Sequence, residues 1–354
     1  MEPGLGLFLQ ALPVGLQVEL ATQAEQAGYG SVWFPEITFG DAFVPAAATA
    51  ARTSTIDVST GIVGLWSRSP AQLALQAATL NELAGGRLRL GIGTQARGYV
   101  ENWHGRTYER PLRAMRELVT ILRGLFAGER VTFEGEIFQI RGFRLEMQPP
   151  ERPPRIYLAA NGPKMIRLAG EIADGVIGYF MSTAYVREVV VPELRAGAEA
   201  AGRDPAALDL AVGMPSVVTP DDSGIELAKG QVLMFATALQ SAPSYAESVR
   251  RAGYGAAAEE VGAHALAGDA AGALAAIDDG MIDALTLSGS PANVAARIAE
   301  YRDAGVTTVC LNPCPPGTWF PLYEGHLAGL EPPPLDFDAY LQVIGDTIRL
   351  VPGA

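Results

Sequence analysis

Apolar positions along the chain alternate between two patterns. Short stretches rich in apolar and β-branched residues at 5–9, 31–35, 57–63, 88–92, 156–160, 176–180, 208–218 and 308–311 predict eight strands. Between them, apolar residues fall three and four apart, as in Leu16, Leu20, Ala24 and Ala27 before Gly28, residues 46–52, and Leu73, Ala77, Leu80 and Ala84 before Gly85-Gly86. The same spacing recurs in Leu112, Met115, Val119, Leu122 and Phe126, and in Ile166, Ala169 and Ala173. Eight strands alternating with helices predict an α/β fold, a (β/α)8 TIM barrel forming one domain over 1–354, with a doubly wound sheet as the alternative.

Two stretches interrupt the alternation. Residues 131–138 predict a small β-hairpin insertion turning at Glu134-Gly135. Between strands seven and eight, residues 219–290 are Ala-rich and helical in pattern, with turns at Gly253, Gly255 and Gly268, and predict a helical cap. A stiff Pro332-Pro-Pro334 connector leads to a last helix with Phe337, Leu341, Ile344 and Ile348 on its inner face.

At 354 residues, 49% hydrophobic and 18% charged, the chain can bury a large core. Its formal net charge of −13 argues against nucleic-acid or anionic-membrane partners, which need clustered Lys and Arg. Met1-Glu2-Pro3-Gly4 shows no charged-then-apolar leader and no apolar run is long enough to cross a bilayer, so a cytoplasmic protein is expected. Cys310 and Cys314 lack the spacing and the second pair of a zinc site, and no metal is expected.

In such a barrel the loops after the strands carry the chemistry. Residues 155–175 read as strand, tight loop and helix start. The loop Ala159-Ala160-Asn161-Gly162-Pro163 has small residues that admit a ligand to the backbone and a proline at the first helical turn, which suits a phosphate. An ordinary strand-to-helix turn has the same composition. Glu36 and Asp41 follow strand two; Trp66, Tyr99, Trp103 and Phe180 follow strands three, four and six and suit a flat heteroaromatic cofactor. With three histidines, no Gly-x-Ser-x-Gly elbow and no His-Glu-x-x-His, metal hydrolysis and acyl transfer have no support. Glu36 is a candidate acid–base or a loop cap, His104 a pocket residue or a loop hydrogen-bonder, Glu101 a helix-start carboxylate, and Trp33 and Trp103 core or rim aromatics.

The chain resembles the luciferase-like monooxygenase superfamily, and within it the branch of oxidoreductases dependent on the deazaflavin coenzyme F420. The resemblance rests on Gly30-Ser-Val-Trp-Phe-Pro-Glu36 with Asp41-Ala-Phe43, Thr60-Gly-Ile-Val63 with Arg68 and Pro70, Leu90-Gly-Ile-Gly93 and Val100-Glu-Asn-Trp-His-Gly105. It continues through Arg110-Pro-Leu112, Tyr157-Leu-Ala-Ala-Asn-Gly-Pro163, Ala169-Gly-Glu-Ile-Ala-Asp-Gly175, Ser290-Pro-Ala-Asn-Val294 and Tyr301-Arg-Asp-Ala-Gly-Val306. It implies a homodimeric barrel holding F420, or alternatively FMN, with a small-molecule substrate.

Carried onto this chain, the resemblance sets the ring against Gly61, Ile62 and Val63, with a cis peptide between Gly61 and Ile62. Thr94, Gln95, Val100 and Phe180 become cofactor contacts, and the tail runs past Glu101 and the amides of Ala160 to Gly162. Two departures stand out: Gln95-Ala-Arg-Gly98 replaces a Ser-Gly-Pro-like turn, and Pro35-Glu36 replaces an Asp-His pair. Glu36 then becomes the expected proton donor or acceptor, its pKa raised by partial burial beside Trp33, Trp66 and Phe180, with His104 as the second candidate. An F420 hydride-transfer enzyme, an FMN monooxygenase and a barrel that only binds a flavin or a partner are the three readings.

Overall fold

The apolar runs form strands whose residues are almost all buried, as parallel pairing between covering helices requires. The computed structural model describes residues 4–38, 40–238, 243–318 and 333–353. Its strands are β1 (Gly4–Phe8), β2 (Ser31–Phe34), β3 (Asp57–Thr60), β4 (Val63–Gly64), β5 (Leu88–Gly93), β6 (Val131–Glu134), β7 (Gln139–Phe143), β8 (Arg155–Ala159), β9 (Gly175–Tyr179), β10 (Asp209–Ser216) and β11 (Thr308–Pro313). Hydrogen bonding runs β3-β2-β1-β11-β10-β9-β8-β5-β4, and β3 also pairs β5, so the order returns on itself as a closed parallel barrel of eight staves.

The third stave is interrupted. Ser59 faces Arg89 and Val63 faces Ile92, so four steps along β3–β4 oppose three along β5, and one extra residue bulges between them. The hairpin β6–β7 is also displaced from its expected turn: Glu134 pairs with Gln139, and 135–138 form the turn. The cause is Glu117, buried on helix Pro111–Phe126, whose carboxylate accepts the amides of Glu136, Ile137 and Phe138 at 2.9, 3.0 and 3.0 Å. Burial pushes that carboxyl up, and the three amides outweigh it and hold it below its usual range.

Contacts divide the chain into two units. The first comprises Phe8–Ile177 and Glu193–Leu210 and contains β2 to β8. Its outer helices include Val14–Gln26, Phe43–Ala50, Pro70–Leu83, Pro111–Phe126 and Pro163–Ile172. Ser69 caps Pro70–Leu83 by accepting from Gln72 N at 3.2 Å, with proline at the first helical position.

At the starts of the staves this unit holds a buried polar network. Arg89 donates from Nε to Asp57 at 2.9 Å and from Nη1 to Asp209 at 2.7 Å; Arg155 reaches Asp57 at 2.5 Å and Tyr157 Oη reaches Asp209 at 2.8 Å. The Arg89 guanidinium also lies over the Trp33 and Tyr157 rings. Burial works against its charge, yet Tyr157, Asp209 and Asp57 hold its pKa above the usual arginine range.

The other unit comprises the remaining described residues. Within 219–290 the helices are Ser223–Leu227, Lys229–Ala238, Pro243–Arg251, Gly255–Leu266, Ala270–Ala275 and Asp279–Leu285, apart from residues 239–242, which lie outside the described set. Gly253 and Gly268 take positive φ (91° and 76°) at the expected turns, whereas Gly255 starts a helix. Val232, Leu233, Phe235, Val261, Ile282 and Leu285 share one core. Pro332 also lies outside the described residues; Phe337–Leu350 follows and buries Tyr340, Val343, Ile344 and Ile348, while Phe337 is exposed. Cys310 and Cys314 are buried and form no disulfide, and burial pushes the Cys314 thiol up to about 12. Among the described residues no helix is long and apolar enough to cross a membrane.

Candidate active site

The bulge in the third stave sits at the C-terminal end of the first unit's strands. Gly61 N donates to Phe34 O at 2.8 Å, and the Gly61–Ile62 peptide is cis, as the resemblance implied. A Cβ on Gly61 would lie 2.8 Å from the Phe8 ring and 3.2 Å from Trp33 Cβ, so only glycine fits. Ile62 is received by β5: a Cβ on Gly93 would lie 2.6 Å from Ile62 Cδ1, and one on Gly91 would lie 2.1 Å from Thr60 O and 3.3 Å from Ile62 Cγ2. Leu90-Gly91-Ile92-Gly93 is therefore glycine at alternate positions because the neighbouring stave occupies that space. Buried Val63 continues into β4.

Beyond β5 the chain passes through Thr94 and Gln95, both part-buried. Gln95 has φ 55°, an uncommon left-handed conformation for a residue with a side chain. Its amide turns back over Gly64, whose missing Cβ would lie 2.3 Å from Gln95 Oε1. That oxygen is shielded from solvent and has no hydrogen-bond partner.

The loop continues into a helical turn, Tyr99–Trp103, anchored by fully buried Val100. Glu101 pairs with Arg97 at 2.8 Å, with both side chains substantially exposed, and Arg97 also stacks over Tyr108, which packs on Trp66 at 4.9 Å. Trp103 stacks on Tyr99 at 3.8 Å and is 44% exposed, a rim aromatic. His104 ends the turn exposed, its N–H donating to Tyr99 O at 3.3 Å.

After β8, Ala159 and Ala160 lead through Asn161 to Gly162, the N-cap of Pro163–Ile172, with Pro163 exposed at the first position. Ala160 N already donates to Ile177 O at 3.3 Å, because β9 runs alongside, so this amide is taken by the sheet and does not belong to the expected cradle. Gly162 has φ −87° and open space on its Cβ side.

Glu36 is 14% exposed, and its partner differs from the aromatic group expected around it. Arg68 grips it bidentately, Nη1 to Oε1 at 2.5 Å and Nη2 to Oε2 at 2.6 Å, and also reaches Asp41 at 3.0 Å. The guanidinium lies over the Phe43 ring at 5.2 Å. Burial opposes its charge, but Glu36 and Asp41 keep the Arg68 pKa raised. Trp33 packs between Phe8 and Tyr157, and Trp66 packs on Tyr108. Phe180 belongs to the other unit, where it has φ 54°, is buried, and stacks on Phe235 at 4.0 Å.

Arg68 and Gly64 are the site features that residue-level reading did not single out. Arg68 appeared only within a motif, and its pairing with a carboxylate 32 residues away has no local signal. Gly64 falls in the 61–70 stretch after strand three, and nothing local marks it out from its neighbours.

The sequence pattern of the luciferase-like monooxygenase family matches residues 9–308. The chain is 32% identical over 307 residues to 5,10-methylenetetrahydromethanopterin reductase of Methanolobus tindarius, covering 85% of this chain and 91% of that protein. It is 33% identical over 291 residues to the protein of the same name from Archaeoglobus fulgidus, covering 81% and 86%. Among solved structures, the coenzyme F420 dependent tetrahydromethanopterin reductase of Methanopyrus kandleri is similar with a TM-score of 0.78 and 25% identity, covering 88% of this chain and 93% of that one.

Proposed function

This chain belongs to the luciferase-like monooxygenase family and is one of its oxidoreductases, and we propose that it transfers a hydride between coenzyme F420 and a small organic substrate. When bound, the deazaflavin supplies a ring carbon that gives or takes a hydride in a two-electron step. The observation that carries the reading is the arrangement at the strand ends: the Gly61–Ile62 peptide is cis, Ile62 packs onto the glycines of β5, and an orphaned amide oxygen of Gln95 stands beside them. The similarity to a coenzyme F420 dependent reductase supports this cofactor.

The chain's own groups then have distinct tasks. Residues 61–63 back the ring, with Thr94 and buried Val100 closing the segment after β5. The start of Pro163–Ile172, with open space at Gly162, receives the anionic tail through main-chain N–H groups and the positive helix end. Glu36 handles the substrate proton. Its oxygens accept from Arg68, and Oε2 also accepts from Ala42 N at 3.4 Å. Oε1 keeps a lone pair for a proton leaving an oxidised substrate, or returns that proton in the reverse direction. Arg68 fixes the carboxylate's direction.

Titration of the purified protein with F420 and with FMN, followed by cofactor fluorescence, tests the reading. Tight F420 binding with slow oxygen uptake by the reduced complex is expected. Binding of FMN alone, with rapid oxygen consumption, would overturn it.

A further inference from the structure

We propose that Gln95 reads the imide edge of the cofactor ring, accepting its N–H at Oε1, and that Gly64 is the residue that seats this amide. The inference rests on a flavin-type ring occupying the strand ends. Three observations carry it. The Gln95 backbone takes a left-handed conformation two residues after β5, and its side chain lies back against β4. Gly64, paired with Gly93 in the ladder, has no side chain, and the amide occupies the space a Cβ would need, with Oε1 2.3 Å and Nε2 3.2 Å from that point. The oxygen so placed is buried and lacks a donor.

A shielded carboxamide oxygen without a partner is unfavourable unless something supplies an N–H. Flavins and deazaflavins share one such group, a ring N–H flanked by two carbonyls. A carboxamide, with its acceptor and donors in one plane, complements that edge at two points. Glu36 and Glu101 do not fit this task, because each already holds an arginine. An isolated flexible glutamine would lose side-chain entropy on ordering; here Gly64 and the left-handed turn restrict it beforehand, which favours affinity.

The test compares F420 with its derivative methylated at that ring nitrogen, titrated by fluorescence into the wild-type protein, Gln95→Leu, Gly64→Ala and the double variant. The wild type is expected to bind the methylated form about tenfold more weakly, the loss of one buried hydrogen bond. Gln95→Leu should bind F420 about tenfold more weakly and no longer distinguish the two forms. Gly64→Ala keeps the glutamine but pushes its amide aside, and it should lose the same discrimination. The two substitutions should be non-additive, since both act on one contact. Equal wild-type affinity for the two forms, or discrimination that survives in both single variants, would overturn the proposal while leaving F420 binding intact. If the wild type binds FMN and not F420, the F420 reading fails, and FMN with its N-methyl derivative decides the role of Gln95 by the same criterion. A protein that binds neither cofactor overturns both.

Discussion

The two ends of the staves in the first unit treat polar groups in opposite ways. At the strand starts, Arg89 is shared between Asp57 and Asp209, and Arg155 and Tyr157 complete the set. The Asp209 side chain is fully buried, and the charges are matched by direct contacts. At the strand ends, glycines replace side chains, the third stave bulges, and the Gln95 amide oxygen has no partner. Saturated polar groups hold a structure in one arrangement; a polar group left over is free energy that a ligand can recover. The contrast separates the end that fixes the barrel from the end proposed to hold the cofactor.

The largest effect is expected at the saturated end. Asp209→Ala leaves the Arg89 guanidinium and the Tyr157 hydroxyl without their shared acceptor, and a loss of about 3–5 kcal/mol is expected, read as a lower urea midpoint. The folded fraction should still bind F420 with wild-type affinity. An unchanged midpoint would mean that the network is not the clasp of this end.

At the other end, Glu36→Gln keeps the shape of the side chain and should retain cofactor affinity while turnover falls about 10²-fold or more. Turnover at the wild-type rate, with cofactor bound normally, would remove Glu36 from the reaction and leave Arg68 and Asp41 as loop ties. A smaller effect is expected of Gly162→Val. No backbone strain opposes valine there, because φ is −87° and nothing lies within 4 Å of the new Cβ. Melting temperature should stay close to wild type while F420 affinity drops about tenfold, about 1.4 kcal/mol of binding. Unchanged affinity would put the cofactor tail elsewhere and weaken the comparison at its ligand-binding end.

The staves themselves were legible. Runs such as Ile156-Tyr157-Leu158 are apolar on both faces, and the pattern places them within a residue or two of β8 and its counterparts. The hairpin turn was misplaced because Glu117, about twenty residues earlier, draws three amides out of the ladder, and no property of Glu134-Gly135 reveals that. Phe337 is expected on the inner face of the last helix; it starts that helix but is exposed, and Tyr340 is buried instead. Ala160 looked like a ligand-binding amide and is a ladder donor to Ile177.

By itself, the sequence determined which segments become strands and helices, and which glycines and carboxylates stand at strand ends. Those follow from periodicity and from residue type, which act within a few positions along the chain. Only the tertiary structure decided that Arg68 holds Glu36, that Asp209 meets Arg89 across 120 residues, and that the Gln95 oxygen is left without a donor. Hydrogen bonds and ion pairs act over a few ångströms in space, and it is closure of the barrel that brings such distant residues within that reach.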